Sequence, residues 1–181
     1  MQTIAADTLP GSGKRPQYDR RSLRSRIVHL GFGAFHRAHQ ALLTNRVLNQ
    51  QGGDWGICEI SLFGNESLIK SLRQQNHLFT VLEKGAEGNQ AIIIGSAHDS
   101  VHGGIDGLEA VLEKLTEPQG AIVSLTITEK GYCIEQGTGE LDLQNPKIQQ
   151  DLAGGQAPCT APGVLAEGMR LRHERGLTGV T

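Results

Sequence analysis

Residues 27–39 read Ile-Val-His-Leu-Gly-Phe-Gly-Ala-Phe-His-Arg-Ala-His. A short apolar run ends in Gly31-x-Gly33, and a helix-like segment follows at once. This layout restricts the fold, because a buried strand must pass into a helix through a turn with almost no room for side chains. It is the turn of a βαβ unit that cradles a dinucleotide. The first glycine permits the sharp bend. The second, lacking a Cβ, lets backbone amides come close to a pyrophosphate where the helix starts. A third glycine would usually follow at the position of His36. A bulky residue there changes how the helix packs or where the phosphates sit. Arg37, in the first helical turn, offers the pyrophosphate a cation.

Strand and helix patterns alternate along the rest of the chain. Residues 27–30 read as a buried strand, and residues 35–50 as one helix with Ala38, Ala41, Leu42 and Leu48 toward the core. Gly52-Gly53 stops it. A second strand covers residues 55–63. Asn65 caps a short helix that buries Leu68, Ile69 and Leu72. Residues 77–83 and 90–97 read as strands joined by a turn at 84–89. Ile105, Leu108, Val111, Leu112 and Leu115 recur at helical spacing before Pro118. Residues 120–126 form another buried strand, and 135–158 read as loop. Thr160 caps a helix over 164–175, and residues 177–181 resemble the start of a further strand.

These elements predict an α/β fold of Rossmann type. Its sheet is doubly wound and mostly parallel, with an inserted β-hairpin. Residues 1–25 are expected to form an N-terminal arm, and residues 26–181 a single nucleotide-binding domain.

Composition excludes several function classes. At 181 residues the chain can bury one real core, and its net charge of −2 gives no general field for polyanions. The basic cluster Lys14, Arg15, Arg20, Arg21, Arg24 and Arg26 is broken by Asp19 and reads as a solvated arm, so no nucleic acid is expected. No apolar run nears the roughly 20 residues that span a bilayer, and residues 1–10 lack an apolar signal core. Cys58, Cys133 and Cys159 are widely spaced, as reduced thiols in a cytoplasmic protein would be. His36 and His39 lack a third ligand at matching spacing, so no metal site is expected. His29 reads as a hydrogen-bonded core histidine.

A carboxylate at the end of the second strand normally holds the adenosine ribose. Glu59 lies within that strand, whereas Asn65 and Glu66 follow its tip and are the candidates. Arg73 lies further along, so no arginine stands ready for a 2′-phosphate, and NAD is favoured over NADP. The polar run Thr128, Glu129 and Lys130 follows a buried strand, where the carboxyl ends of strands line the ligand crevice. Glu129 would gate protons or water there, with Lys130 as its ion-pair partner.

Three separated blocks carry a family resemblance: Gly31-Phe-Gly-Ala-Phe-His-Arg-Ala-His-Gln40, Asp54-Trp-Gly-Ile-Cys58 and Ser124-Leu-Thr-Ile-Thr-Glu-Lys-Gly-Tyr132. Together they resemble the long-chain mannitol dehydrogenase family. Residues 58–60 and 80–85 are more similar to its mannonate oxidoreductase branch. The resemblance implies a Rossmann-type domain followed by a mostly helical one. It implies NAD-dependent, metal-independent hydride transfer between a secondary alcohol and a ketone. The substrate would be an acyclic polyol or sugar acid, D-mannonate/D-fructuronate ahead of D-mannitol/D-fructose. By resemblance, Gly31, Phe32, Gly33, Ala34, Phe35, His36 and Arg37 fall on the pyrophosphate turn. Asn65 and Glu66 fall at the ribose, and Thr128, Glu129 and Lys130 beside the nicotinamide.

The resemblance also implies what is missing. The family's general acid/base is a lysine with asparagine and histidine partners, in or beyond the segment following Thr181. None of Lys14, Lys70, Lys84, Lys114, Lys130 or Lys147 matches it, so no catalytic residue is assigned. The chain is expected to have little or no activity alone and to self-associate through an unfinished sheet edge. The alternatives are a non-catalytic nucleotide-binding module and a remnant of a longer enzyme.

Overall fold

The computed structural model describes residues 14–86 and 88–177. The strands are β1 (Arg24–Leu30), β2 (Trp55–Ser61), β3 (Phe79–Gly85), β4 (Gly88–Ile94), β5 (Ala97–His102) and β6 (Ile122–Leu125). The helices are α1 (Ala34–Ala38), α2 (Gln40–Gln51), α3 (Glu66–Gln74), α4 (Gly103–Asp106), α5 (Leu108–Leu115), α6 (Pro146–Ala153) and α7 (Ala161–Glu174). Four strands form a parallel sheet in the order β5-β2-β1-β6, while β3 and β4 pair antiparallel as a separate hairpin.

The central strands β1 and β2 are covered on both faces, which is why their sequences run apolar instead of alternating. One face packs Ile27 and Ile57 against Ala41 and Leu42 of α2 and against Ile92 and Ile94 of the hairpin. The other packs Val28, Leu30, Cys58 and Ile60 against Val111 and Leu115 of α5 and Val164 of α7. Among the described residues β6 pairs only with β1, and all four of its residues are half-buried. No helix among the described residues is long and apolar enough to cross a membrane.

Four expectations change. The single helix over 35–50 is two. His39 sits at φ −119°, ψ −87° between α1 and α2, and its Nδ1–H donates to the Phe35 carbonyl at 2.7 Å, taking the acceptor a straight helix would use for a backbone amide. The run read as one strand over 90–97 is interrupted at Gly95-Ser96. There the Gly95 amide donates to Asn45 Oδ1 at 3.0 Å and Ser96 Oγ donates to the Ala41 carbonyl at 2.8 Å. Beyond that pin the chain re-enters the parallel sheet as β5, whose sequence Ala-His-Asp-Ser-Val-His carries little apolar signal. The loop expected over 135–158 contains α6, opened by an Asn145 cap with Pro146 in the first turn.

The expected arm is also partly built into the domain. Lys14 pairs with β4 through Lys14 N to Ala91 O at 3.1 Å and Ile93 N to Lys14 O at 2.9 Å. Arg20 donates to the carbonyls of Gly95, Asn76 and Ala97, and Arg26 forms an ion pair with Asp54 at 2.8 Å. Residues 178–181, where a further strand is expected, lie outside the described residues.

Candidate cofactor site

A crevice of about 630 Å³ opens beyond the carboxyl ends of β1, β2 and β6. Its floor is the turn after β1. Gly31 has φ +111°, and a Cβ there would lie 2.2 Å from the Thr126 carbonyl oxygen. Glycine is therefore required twice, by conformation and by the approach of β6. Gly33 differs: its φ is −82°, and a Cβ would meet nothing within 4 Å. The fold itself does not need a glycine at 33. Gly33 lines the crevice, where a missing side chain suits the close approach of a pyrophosphate to the backbone.

The structure brings Gly31, Phe32, Gly33, Asn65, Thr128 and Lys130 together around this crevice. The other sequence candidates do not line it. Ala34 starts α1 beside the turn, and Phe35 is exposed and stacked on His39 at 4.1 Å. Arg37 lies over the Phe32 ring, 5.3 Å from its centroid, and borders a neighbouring groove with Ser67 and Ser71. Its Nε also donates to the Gly33 carbonyl at 3.4 Å, so the guanidinium stays at the edge of the pyrophosphate turn without lining the crevice. Glu66 pairs with Lys70 on the exposed face of α3 at 3.7 Å. Glu129 accepts from Gln136 Nε2 at 3.2 Å instead of pairing with Lys130.

His36 points inward. Its side chain and that of Glu59 are both fully buried, with Nε2 and Oε1 2.9 Å apart. Its ring stacks on His29 at 3.5 Å between centroids. His29 contacts Ser124 Oγ through Nδ1 and Thr126 Oγ1 through Nε2, both at 2.8 Å. Thr126 Oγ1 in turn donates to the Gly31 carbonyl at 3.2 Å, and Ser124 Oγ to Gln40 Oε1 at 3.1 Å, so the two hydroxyls tie His29 to the glycine turn and to α2. Burial pushes His29 down to about 3, with the neighbouring His36 charge adding to it. Burial raises Glu59, opposed by its bond to His36. His36 is buried against Glu59, whereas the exposed His39 donates to the Phe35 carbonyl.

The other end of the crevice is shaped by Ser61, Leu62 and Phe63. Asn65 adopts a left-handed conformation at φ 60° and makes no capping bond with its side chain, so that amide is free to face a ligand. The buried His102 holds this loop. The Gly104 amide donates to its Nδ1 at 3.0 Å, which leaves Nε2–H to donate to the Gly64 carbonyl at 2.6 Å. Arg73 is committed elsewhere: it is paired with Asp106 and donates to Ser100 Oγ at 3.1 Å and Ser100 O at 2.9 Å.

The far wall was not anticipated. It consists of Cys133, Asn145, Pro146, Lys147, Cys159, Thr160 and Ala161. Asp151 fastens it by accepting from the amides of Cys159 at 2.8 Å and Thr160 at 3.1 Å. The Asn145-Pro146 pair was the available signal, a helix start inside a segment read as loop.

The described family named Mannitol dehydrogenase Rossmann domain matches residues 25–181. The chain is 62% identical over 181 residues to the oxidoreductase YeiQ of Escherichia coli and 51% identical over 183 residues to D-mannonate oxidoreductase of the same organism. All of this chain is covered in both matches, but it spans 37% of the length of either relative. A Pseudomonas fluorescens mannitol 2-dehydrogenase, solved as a ternary complex with NAD and D-mannitol, superimposes with a TM-score of 0.87 at 37% identity, over 96% of this chain and 36% of that one. A D-sorbitol dehydrogenase in substrate-free form gives 0.85 at 33% identity, over 97% and 37%. With a parallel sheet, a Gly31-x-Gly33 turn and a family match over nearly all its length, this chain belongs to the mannitol dehydrogenase family and carries its Rossmann domain.

Proposed function

We propose that the crevice binds NAD and that this chain is the cofactor-binding portion of an oxidoreductase. The reaction would interconvert a secondary alcohol and a ketone on an acyclic polyol or sugar acid. The carrying observation is the pair of glycines. Gly31 is demanded by the fold, whereas Gly33, which lines the crevice, is not, so a glycine there leaves room for a ligand that the fold itself does not use. When bound, the nicotinamide ring supplies the hydride acceptor. The chain's own residues would bind and orient it: the Gly31–Gly33 backbone at the pyrophosphate, Asn65 at the adenosine ribose, and Thr128 and Lys130 beside the nicotinamide. Engagement of Arg73 with Asp106 and Ser100 favours NAD over NADP, because no other arginine follows Asn65 closely to meet a 2′-phosphate. The higher identity to D-mannonate oxidoreductase than to a fungal mannitol 2-dehydrogenase, 51% against 40%, supports a sugar acid over a polyol. Three free cysteines suit a reducing cytoplasm.

Calorimetric titration of the chain tests this reading. NAD is expected to bind, with NADP about tenfold weaker or more, the effect of roughly 1.4 kcal/mol of unpaired phosphate charge. Absence of NAD binding by the folded chain would sink the proposal. Turnover of NADH with D-fructuronate is expected to be undetectable, and measurable turnover would refute the cofactor-half reading. A narrower check is Asn65→Gly, which keeps the left-handed backbone and removes only the side chain. It should weaken NAD about fivefold, within the usual value of one hydrogen bond. Unchanged affinity would remove Asn65 from the ribose site.

A further inference from the structure

We propose that the buried His36–Glu59 pair, stacked on His29, is a positioning device that fixes the Gly31–Gly33 turn for the dinucleotide pyrophosphate. The inference rests on the NAD-binding reading above and deepens it. Where a third glycine would let the helix settle closely on the strand, this chain places an imidazole. It reaches from α1 to the middle of β2, with both side chains at 0% exposure and 2.9 Å between Nε2 and Oε1.

Such a pair is a poor way to gain stability alone. Removing two polar groups from water costs much of what their attraction returns, and apolar replacements of similar volume often do as well or better. The burial here is also incomplete in its bonding: His36 Nδ1 and Glu59 Oε2 have no hydrogen-bond partner. What the pair supplies is direction, since a hydrogen bond fixes an angle that apolar packing leaves loose. The direction it sets is that of α1, which begins immediately after Gly33.

The same cluster reaches the opposite lip of the crevice. His29 stacks on His36 and is hydrogen-bonded to Thr126 Oγ1 at 2.8 Å, and Thr126 donates to the Gly31 carbonyl. The glycine turn and the β6 turn leading to Thr128 are thereby held in one register by a chain of contacts running from Glu59 to Gly31. Besides these groups, Arg37 is the charged side chain whose field reaches Glu59.

The test compares affinity for NAD with affinity for AMP. AMP engages the ribose loop after β2 and places one phosphate, not two, on the turn. A general loss of structure weakens both ligands, whereas a displaced turn weakens NAD selectively. The double variant His36→Phe with Glu59→Leu replaces the pair with apolar groups and should retain the unfolding midpoint. Its NAD affinity is expected to fall about tenfold or more while AMP stays within about threefold. Glu59→Gln, whose amide oxygen still accepts from His36, should stay within about threefold of the parent for both ligands. Parent-like NAD binding by the folded double variant overturns the proposal. If the double variant does not fold, Glu59→Asp decides: it keeps the carboxyl but shortens its reach, the same NAD-selective loss is expected, and parent-like affinity overturns the proposal. Failure of the parent to bind NAD would overturn the functional reading as well, whereas parent binding with unaffected variants overturns this inference alone.

Discussion

Gly31→Ala is expected to destabilise the chain by about 3–5 kcal/mol and to abolish NAD binding. Two costs combine. A residue with a Cβ at φ +111° carries backbone strain of roughly 1–3 kcal/mol. The added carbon would also sit 2.2 Å from the Thr126 carbonyl oxygen and 2.8 Å from its carbon. Those are backbone atoms, so relief requires β6 to move away from β1, at roughly the cost of an overpacked core. The movement also separates the two turns that form the crevice. Gly33→Ala is the matched control. The same methyl meets no protein atom within 4 Å, so stability should change by less than about 0.5 kcal/mol. NAD affinity should still fall, because the methyl enters the space left for the cofactor. Denaturant unfolding and NAD titration of both variants check this. A Gly31→Ala midpoint equal to the parent's would show that β6 does not constrain the turn as the geometry requires.

Acid sensitivity is the second large effect, and it belongs to His29. Burial holds this ring near a pKa of about 3 in the native chain, while an unfolded histidine titrates near 6.5. Between those values the unfolded state binds a proton that the native state refuses. Stability is therefore fully present above about pH 6.5 and falls as pH drops toward 3, by up to about 1.4 kcal/mol per pH unit. His77, pushed down to about 4 mainly by burial, acts in the same direction. Glu59 opposes both, since burial raises its carboxyl and the native state takes up that proton earlier than the unfolded chain does. The groups facing His29 are Ser124 from β6, Thr126 just beyond it and His36 from α1. His29→Gln can reach the same hydroxyls without titrating. Urea unfolding at pH 5, 6 and 7 should show a shallower pH slope in this variant, by about one proton. Equal slopes in parent and variant would mean that His29 is not the group resisting protonation.

How much of this was legible beforehand follows from the range of each signal. The glycine turn was readable because its constraint is local: two residues after an apolar run can carry it. The hairpin was readable from two apolar runs joined by a polar turn. That Asn65, Thr128 and Lys130 lie at the crevice was readable because strand ends in such folds line it. The break at His39 was not readable, since it depends on one side chain taking the Phe35 carbonyl. Strand β5 was hidden because its burial comes from β2 and not from its own apolar content. Arg37 has the charge and the sequence position for a phosphate contact, and only packing shows its guanidinium lying over Phe32.

Local sequence alone therefore determined the fold class, the turn that begins the cofactor site, and the family. Each follows from residue type at fixed spacing along the chain. The tertiary structure decided what His36 does. From the sequence it stands where a third glycine is usual, with its ring expected on the pyrophosphate turn. Its partner lies 23 residues away on β2, and its stacking neighbour is fixed by contacts spanning 95 and 97 residues to β6 and the turn beyond it. Contacts between strands paired across the sheet have no counterpart in local spacing. The direction in which a buried polar group points is set by the partner that replaces its lost water.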